Sequence, residues 1–267
     1  ERFPLEKIEA VRQRTGPAKF DSQMMLKPRS IIESRLDPSL LRPYDDELAY
    51  AEGNCEALLT LAGRRLVSVS CWWDPAYGSP GKGDASVVAA VFTDQDGAYW
   101  LHRVRYLEHD PALLDDVDAA TQLCRQVAVF LKALFIPALT LESNGIGRFL
   151  PGLLRNELRR AGLSCAVIEK NSTRNKAMRI LDAFDAVLAA NRLQAHSSVW
   201  QTPFIEEMRE WQPGGRGADD GLDAVAGCLL NEPVRLPRHA PAVPPAAGTL
   251  WRSQPAAAAD HDFSILL

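Results

Sequence analysis

Residues 66–73 read Leu-Val-Ser-Val-Ser-Cys-Trp-Trp, and an acid, Asp74, follows them directly. This short apolar run, with serines at alternate positions, predicts a strand. Two further strands are predicted over residues 84–92 and 98–107, joined by a turn at Asp94-Gln95-Asp96-Gly97. Together the three runs predict an antiparallel meander.

Helical and strand patterns alternate along the chain after the meander. Helical spacing of apolar residues predicts helices over 115–134, 148–161, 174–190, 202–211 and 219–230, and short apolar runs predict strands over 138–141 and 163–168. This order predicts an α/β fold with a ribonuclease-H-like mixed sheet, in which three antiparallel strands are followed by parallel strands and helices flank the sheet. Right-handed crossovers would then place the first, fourth and fifth strands side by side.

Composition divides the chain into three zones. Residues 1–62 read as helices interrupted by prolines and predict a helical linker or the end of a preceding domain. Residues 63–232 contain the alternating strands and helices, and residues 233–267 form a Pro/Ala-rich C-terminal tail. The chain opens with Glu-Arg-Phe-Pro, with no initiator Met and no signal-peptide layout, so we expect it to be a piece of a longer protein.

The overall composition excludes several classes of protein. With 46% hydrophobic and 24% charged residues, the chain is neither disordered nor of low complexity as a whole. No apolar run approaches eighteen residues, so we expect neither a transmembrane helix nor a membrane partner. The five cysteines include no CxxC pair, which argues against a zinc knuckle or a disulfide framework and favours a reducing, cytoplasmic compartment.

Acidic residues follow two of the predicted strands and begin the last predicted helix. Asp74 ends the first strand and Glu142 the fourth, while Asp219, Asp220 and Asp223 open the helix over 219–230. In the predicted topology the ends of those two strands are neighbours, and a helix packed across the sheet can bring its first turn to them. Taken singly, each acid also fits a turn or a helix cap, which leaves both interpretations open.

A convergence of these acids would suit divalent cations. Mg²⁺ and Mn²⁺ prefer carboxylate and water oxygens as ligands. Two such ions about 3.5–4 Å apart stabilise the attacking and leaving oxygens of a phosphodiester, and Asp74 is the natural bridge between them. The expected chemistry needs no histidine base, and the five histidines are predicted to be structural or surface residues: His102, His109, His196, His239 and His261.

Four motifs, in order along the chain, resemble those of the nuclease domain of the large terminase subunit of tailed bacteriophages. They are Trp73-Asp74-Pro75-Ala76 with Gly83-Asp84-Ala85-Ser86, Glu142-Ser143-Asn144-Gly145-Ile146-Gly147 before Pro151, Asn175-Lys176-Ala177-Met178-Arg179-Ile180, and Asp219-Asp220-Gly221-Leu222-Asp223-Ala224. Phe20-Asp21-Ser22-Gln23-Met24 and Pro28 also resemble the segment that joins the packaging ATPase to the nuclease in that family. The resemblance covers roughly residues 1–232.

This resemblance implies a ribonuclease-H-like endonuclease that cuts double-stranded viral DNA during genome packaging. It implies catalytic roles for Asp74, Glu142, Asp219 and Asp220, and two Mg²⁺ or Mn²⁺ ions held by these residues and Asp223. Which of Asp219, Asp220 and Asp223 contacts each ion stays open. The implied partners are the packaging ATPase domain, the portal and the small terminase subunit, and the implied location is the procapsid portal in the cytoplasm of the infected bacterial host.

The chain departs from the complete family pattern in having no Walker A sequence. Gly78-Ser79-Pro80-Gly81-Lys82 has the wrong spacing for that phosphate-binding loop. We therefore expect no ATPase in this chain, and the resemblance places the ATPase upstream of Glu1.

A local excess of positive charge predicts where DNA binds. The chain has a net charge of −4, yet residues 144–180 contain eight basic and two acidic residues. The predicted phosphate contacts, which position DNA without reading its sequence, are Arg148, Arg174, Lys176, Arg179 and Arg216. A solvated helix face is the simpler alternative for each of them.

At the level of the whole chain, the alternatives are another ribonuclease-H-like nuclease, of the resolvase or transposase type, and a non-catalytic assembly module.

Overall fold

The computed structural model describes residues 4–15, 20, 23–25, 36–53, 56–76, 83–142, 149–171, 175–215 and 217–236 of the chain. Within these ranges, no helix is both long and apolar enough to cross a membrane. The predicted DNA contacts Arg148, Arg174 and Arg216, residues 143–147 of the second motif, and the tail beyond residue 236 lie outside the described residues.

The described chain forms one mixed sheet with helices on both faces. The strands are β1 (Arg42–Tyr44), β2 (Ala49–Gly53), β3 (Glu56–Leu61), β4 (Arg64–Asp74), β5 (Ser86–Asp94), β6 (Tyr99–Leu107), β7 (Ala138–Glu142), β8 (Ala166–Lys170), β9 (Leu193–His196) and β10 (Val234–Arg235). The helices are α1 (Leu5–Thr15), α2 (Ala119–Ala133), α3 (Leu150–Arg160), α4 (Lys176–Ala189), α5 (Phe204–Glu210) and α6 (Asp220–Leu230), with short 3₁₀ turns at Pro38–Leu40, Pro111–Leu113 and Ser197–Gln201.

The sheet topology confirms the predicted α/β fold. β4, β5 and β6 pair as an antiparallel meander. β7 then pairs with β4, and β8 with β7, both in parallel. The predicted adjacency of the first, fourth and fifth strands is therefore confirmed, and the arrangement is the ribonuclease-H-like mixed sheet that the sequence predicts.

The helical prediction for the first zone is wrong for residues 42–44, 49–53 and 56–61. These residues form β1, which extends the sheet beside β9, and a hairpin of β2 and β3 that pairs with the start of β4. The turn between β3 and β4 has positive φ at both central residues, 49° at Ala62 and 70° at Gly63. Such turns match the twist of a hairpin, but alanine is a poor signal for one, so the sequence pattern concealed it.

Two short strands, β9 and β10, are not predicted by the sequence pattern. β9 pairs in parallel with β6, and β10 pairs with Val69 and Ser68 of β4. Residues 234–235 at the start of the predicted tail therefore belong to the sheet. The division of the chain into three domains stays a prediction.

The two faces of the sheet support two separate cores. Alternate residues of β4 point to opposite faces, so Val69, Cys71 and Trp73 pack with α2 and α3. Trp72 packs on the other face, with α4, α5 and α6. Because side chains alternate along a strand, Asp74 lies on the face of Trp72, beneath α6.

Gly227 lets α6 lie directly on β4. A Cβ at this position would overlap the ring of Trp72, whereas a Cβ at Gly152 in α3 would meet no atom of the described chain within 4 Å. We expect Gly227→Ala to lower the free energy of unfolding by about 1–3 kcal/mol, because a packed core resists added volume. The matched control Gly152→Ala should leave it unchanged or raise it by up to about 1 kcal/mol, since alanine favours helix. Urea unfolding of both variants checks this, and equal stability of the two would contradict it.

Candidate metal centre

Asp74 and Glu142 lie at the ends of neighbouring parallel strands. β4 and β7 pair through Trp72 with Thr140 and Trp73 with Leu141, so the next position in this register brings Asp74 beside Glu142. Leu141 belongs to the core on the α2 side of the sheet. Glu142 therefore faces the opposite side, the α6 side, together with Asp74.

Helix α6 brings a third acid to this point. Asp223 lies in its first turn, 3% exposed, and one carboxylate oxygen from each of Asp74, Glu142 and Asp223 lies within 4.8 Å of the other two. We call these three residues the acid triad. Its all-carboxylate composition fits a hard divalent cation such as Mg²⁺ or Mn²⁺.

The acid triad holds more negative charge than its surroundings favour. Burial, followed by the charges of Glu142 and Asp223, raises the pKa of Asp74 to about 7 from an ordinary value of 3.8. Burial also raises the pKa of Asp223, although the adjacent Arg179 opposes that shift. A divalent cation would relieve the same repulsion by favouring the ionised carboxylates.

Two basic side chains of α4 contact the acids. The Arg179 guanidinium donates to both carboxylate oxygens of Asp223, with Nε 2.7 Å from Oδ1, and its Nη1 lies 3.3 Å from a Glu142 oxygen. The Lys176 ammonium lies 2.6 Å from Asp219, 3.4 Å from Asp220 and 3.7 Å from Asp223. Burial lowers the pKa of Lys176, but the Asp219 hydrogen bond and the charges of Asp223, Asp219 and Asp220 outweigh it, so the net pKa is raised.

Asp219 and Asp220 lie beside the acid triad rather than in it. Lys176 bridges both of them, and the second oxygen of Asp220 accepts a hydrogen bond of 2.7 Å from the backbone N–H of Ala85. Among the described residues, the third acid to join Asp74 and Glu142 is thus Asp223. A metal-binding role for Asp219 and Asp220 stays a prediction.

Lys176 and Arg179 share one face of α4, as their spacing predicts, but that face points at the acids. Arg179 is only 8% exposed and its guanidinium is engaged by Asp223 and Glu142. The sequence pattern predicts phosphate contacts at these residues and does not predict their ion pairs, because nothing local in the sequence places α4 against α6. Their contact with DNA stays a prediction.

Glu207 in α5 carries a buried carboxylate outside the acid triad, and the sequence predictions do not include it. It accepts hydrogen bonds of 2.6 Å from the Tyr106 hydroxyl and 3.1 Å from the backbone N–H of Leu222 in α6. A signal existed in the sequence, since Glu207 shares the apolar face of its helix with Phe204 and Met208, where a charged residue needs a partner.

Two of the histidines are neighbours in space although they are distant in sequence. The rings of His102 and His196 have centroids 5.1 Å apart, and the Tyr44 hydroxyl lies 2.9 Å from Nδ1 of His102. Both imidazoles are buried, and their structural role stays a prediction.

Comparison with solved structures finds several viral nuclease domains. The chain is similar in structure to large terminase nucleases. The nuclease of the thermophilic phage G20c, solved with bound magnesium, has 13% identity and a TM-score of 0.43 over 75% of this chain and 96% of that one. The nuclease domain of human cytomegalovirus terminase, soaked with manganese, has 14% identity and a TM-score of 0.46 over 60% and 81%. That of bacterial virus Sf6 has 11% identity and a TM-score of 0.44 over 62% and 89%. No protein-family model and no curated protein matches the sequence.

The raised pKa of Asp74 predicts how metal binding depends on pH. Because this pKa is about 7, Asp74 is mostly protonated in mildly acidic solution and must lose its proton to bind a cation. Mn²⁺ affinity should therefore rise between about pH 6 and about pH 8, with about half a proton released by Asp74 near pH 7. The effect on the folding of the metal-free protein has the opposite sign. Because the pKa of Asp74 is higher in the folded protein than in the unfolded chain, the free energy of unfolding should fall as the pH rises from about 4 to about 7.

Titration calorimetry in buffers of different ionisation enthalpy measures both affinity and proton release. Asp74→Asn should remove this pH dependence together with most of the binding. The control Asp96→Asn should retain both, because Asp96 is an exposed residue paired with Arg64. A wild-type affinity that does not change over this pH range would contradict the prediction.

Proposed function

We propose that this chain is a metal-dependent endonuclease that hydrolyses phosphodiester bonds of double-stranded DNA with two Mg²⁺ or Mn²⁺ ions. The observation that carries this proposal is the acid triad, in which residues from three distant segments of the chain bring carboxylate oxygens within 4.8 Å of one another. Buried like charges are costly, and a folded protein gathers them where a cation compensates them.

The residues of the site have separable roles in this proposal. Asp74, Glu142 and Asp223 hold the ions, and Asp219 and Asp220 are candidates for further ligands. Bound divalent ions supply a lowered pKa of water and stabilisation of negative charge on phosphate oxygens. Lys176 and Arg179 limit the repulsion among the carboxylates, and Lys176, 39% exposed at its side chain, is the better placed of the two to meet a phosphate.

We propose further that this endonuclease acts in viral genome packaging. The support for this role is the resemblance of four motifs, in order, to the terminase nuclease family. We propose accordingly that Arg148, Arg174, Lys176, Arg179 and Arg216 contact DNA. We also propose that the chain works with a packaging ATPase domain, a portal and a small terminase subunit, at the procapsid portal in the host cytoplasm.

Substitution of the acid triad tests the nuclease proposal. Asp74→Asn, Glu142→Gln and Asp223→Asn should each reduce Mn²⁺-dependent cleavage of duplex DNA by at least about a hundredfold, because each replaces an anionic carboxylate ligand of the ions with a neutral amide. Nicking and linearisation of a supercoiled plasmid provide the assay. The control Asp96→Asn, on an exposed turn, should cleave at the wild-type rate. Cleavage by Asp74→Asn at the wild-type rate would exclude the proposed mechanism.

A panel of substrates separates the proposed function from its rivals. Plain duplex should be cut in preference to a Holliday junction and to an RNA–DNA hybrid. Preference for the junction would indicate a resolvase, and preference for the hybrid a ribonuclease H. Thermal unfolding with and without Mn²⁺ distinguishes an assembly module, since a true metal site raises the melting temperature through linkage. That rise should vanish in Glu142→Gln.

A further inference from the structure

The first turn of α6 carries the acids of the site, yet its backbone is capped by another helix. The N–H groups of a helix's first turn need acceptors, and an Asp at the N-cap position commonly supplies one. Asp219 occupies the N-cap position of α6 but makes no side-chain capping bond. The carboxylate of Glu207 accepts from Leu222 N–H at 3.1 Å, and the backbone of Gly221 also hydrogen-bonds to it.

Glu207 is itself held from the sheet side. The Tyr106 hydroxyl of β6 donates to its Oε1 at 2.6 Å, while its Oε2 faces α6. The Glu207 side chain is buried, with the residue 5% exposed, and this burial raises the pKa of its carboxyl group, while the hydrogen bonds from Tyr106 and from the backbone of α6 oppose that shift. This arrangement fixes both the position and the direction of the carboxylate.

The contact between this pair and α6 leaves no room for a side chain at position 221. A Cβ on Gly221 would overlap the Tyr106 hydroxyl and would lie 2.9 Å from Oε2 of Glu207. The absence of a side chain allows the helix backbone to reach the carboxylate. Tyr106, Glu207 and Gly221 thus form one lock at the start of α6.

The lock determines which partners the acids at the start of α6 bind. Since Glu207 accepts from the backbone, the Asp219 carboxylate pairs with Lys176 instead, and Asp220 pairs with Lys176 and accepts from the backbone N–H of Ala85. Asp223 follows Asp219 by four residues, with its N–H bonded to the Asp219 carbonyl at 2.9 Å, so the position of the first turn sets the position of its carboxylate.

We propose that Glu207 and Tyr106 are positioning residues, which hold the first turn of α6 so that Asp223 meets Asp74 and Glu142. The effect on cleavage rests on the proposed nuclease function, whereas the effect on the helix does not. Neither residue needs to touch DNA or metal.

The test compares Glu207→Ala, Glu207→Gln and Tyr106→Phe with a matched control, Glu157→Ala. Glu157 is also 5% exposed and held by ion pairs, to Arg125 and Arg160, but it lies in α3 on the other face of the sheet. Three quantities are measured for each protein: amide hydrogen exchange at Gly221 and Leu222, Mn²⁺ affinity, and kcat and KM for duplex cleavage below the melting temperature.

Glu207→Ala should speed exchange at both amides, weaken Mn²⁺ binding by about tenfold or more and lower kcat with KM for DNA unchanged, as loss of a residue that orients metal ligands does. Glu207→Gln should restore most of each property, because its amide oxygen can still accept from α6. Tyr106→Phe should lie between them. Glu157→Ala should lower the melting temperature and leave exchange at α6, Mn²⁺ affinity and kcat as in the wild type.

Two results would overturn the inference. The first is unchanged exchange at Gly221 and Leu222 in Glu207→Ala. The second is an equal loss of Mn²⁺ affinity in Glu207→Ala and Glu157→Ala. A wild-type protein that neither binds Mn²⁺ nor cuts DNA would refute the proposed function, and amide exchange alone would then decide whether Glu207 holds α6.

Discussion

The site depends on how the protein offsets the electrostatic repulsion among its clustered carboxylates. Asp74, Glu142 and Asp223 lie within 4.8 Å of one another, and Asp219 and Asp220 are close by. Arg179 and Lys176 of α4 offset part of the repulsion, and protonation of Asp74, whose pKa is about 7, offsets more. Such an arrangement persists only where surrounding packing fixes each carboxylate.

Strand β4 supplies that packing because it has three kinds of neighbour along one edge. Its start pairs with β3, its middle with β10 and its end with β7, while β5 runs along the other edge. The change of partner to β7 occurs at Trp72 and Trp73, directly before Asp74. The parallel strand β7 therefore places Glu142 beside Asp74, where β4 ends.

Local patterns in the sequence predicted the meander, the crossover helices and the acids at the strand ends, because a strand's alternation and a helix's spacing are written in neighbouring residues. They failed for β2 and β3, and the turn that joins β3 to β4 places Ala62 at positive φ. They also failed for Lys176 and Arg179, which read as a basic surface and are instead paired with acids 37 to 47 residues away along the chain.

The sequence by itself therefore determined the order of elements and the set of acids from which a metal site could be built. Only the tertiary structure decided that Asp223 rather than Asp219 or Asp220 completes the group with Asp74 and Glu142. The physical reason is that acids in one helical turn are equivalent in pattern. Which of them faces the sheet depends on the rotation of α6, and Trp72 against Gly227 and Glu207 against Leu222 fix that rotation from distant parts of the chain.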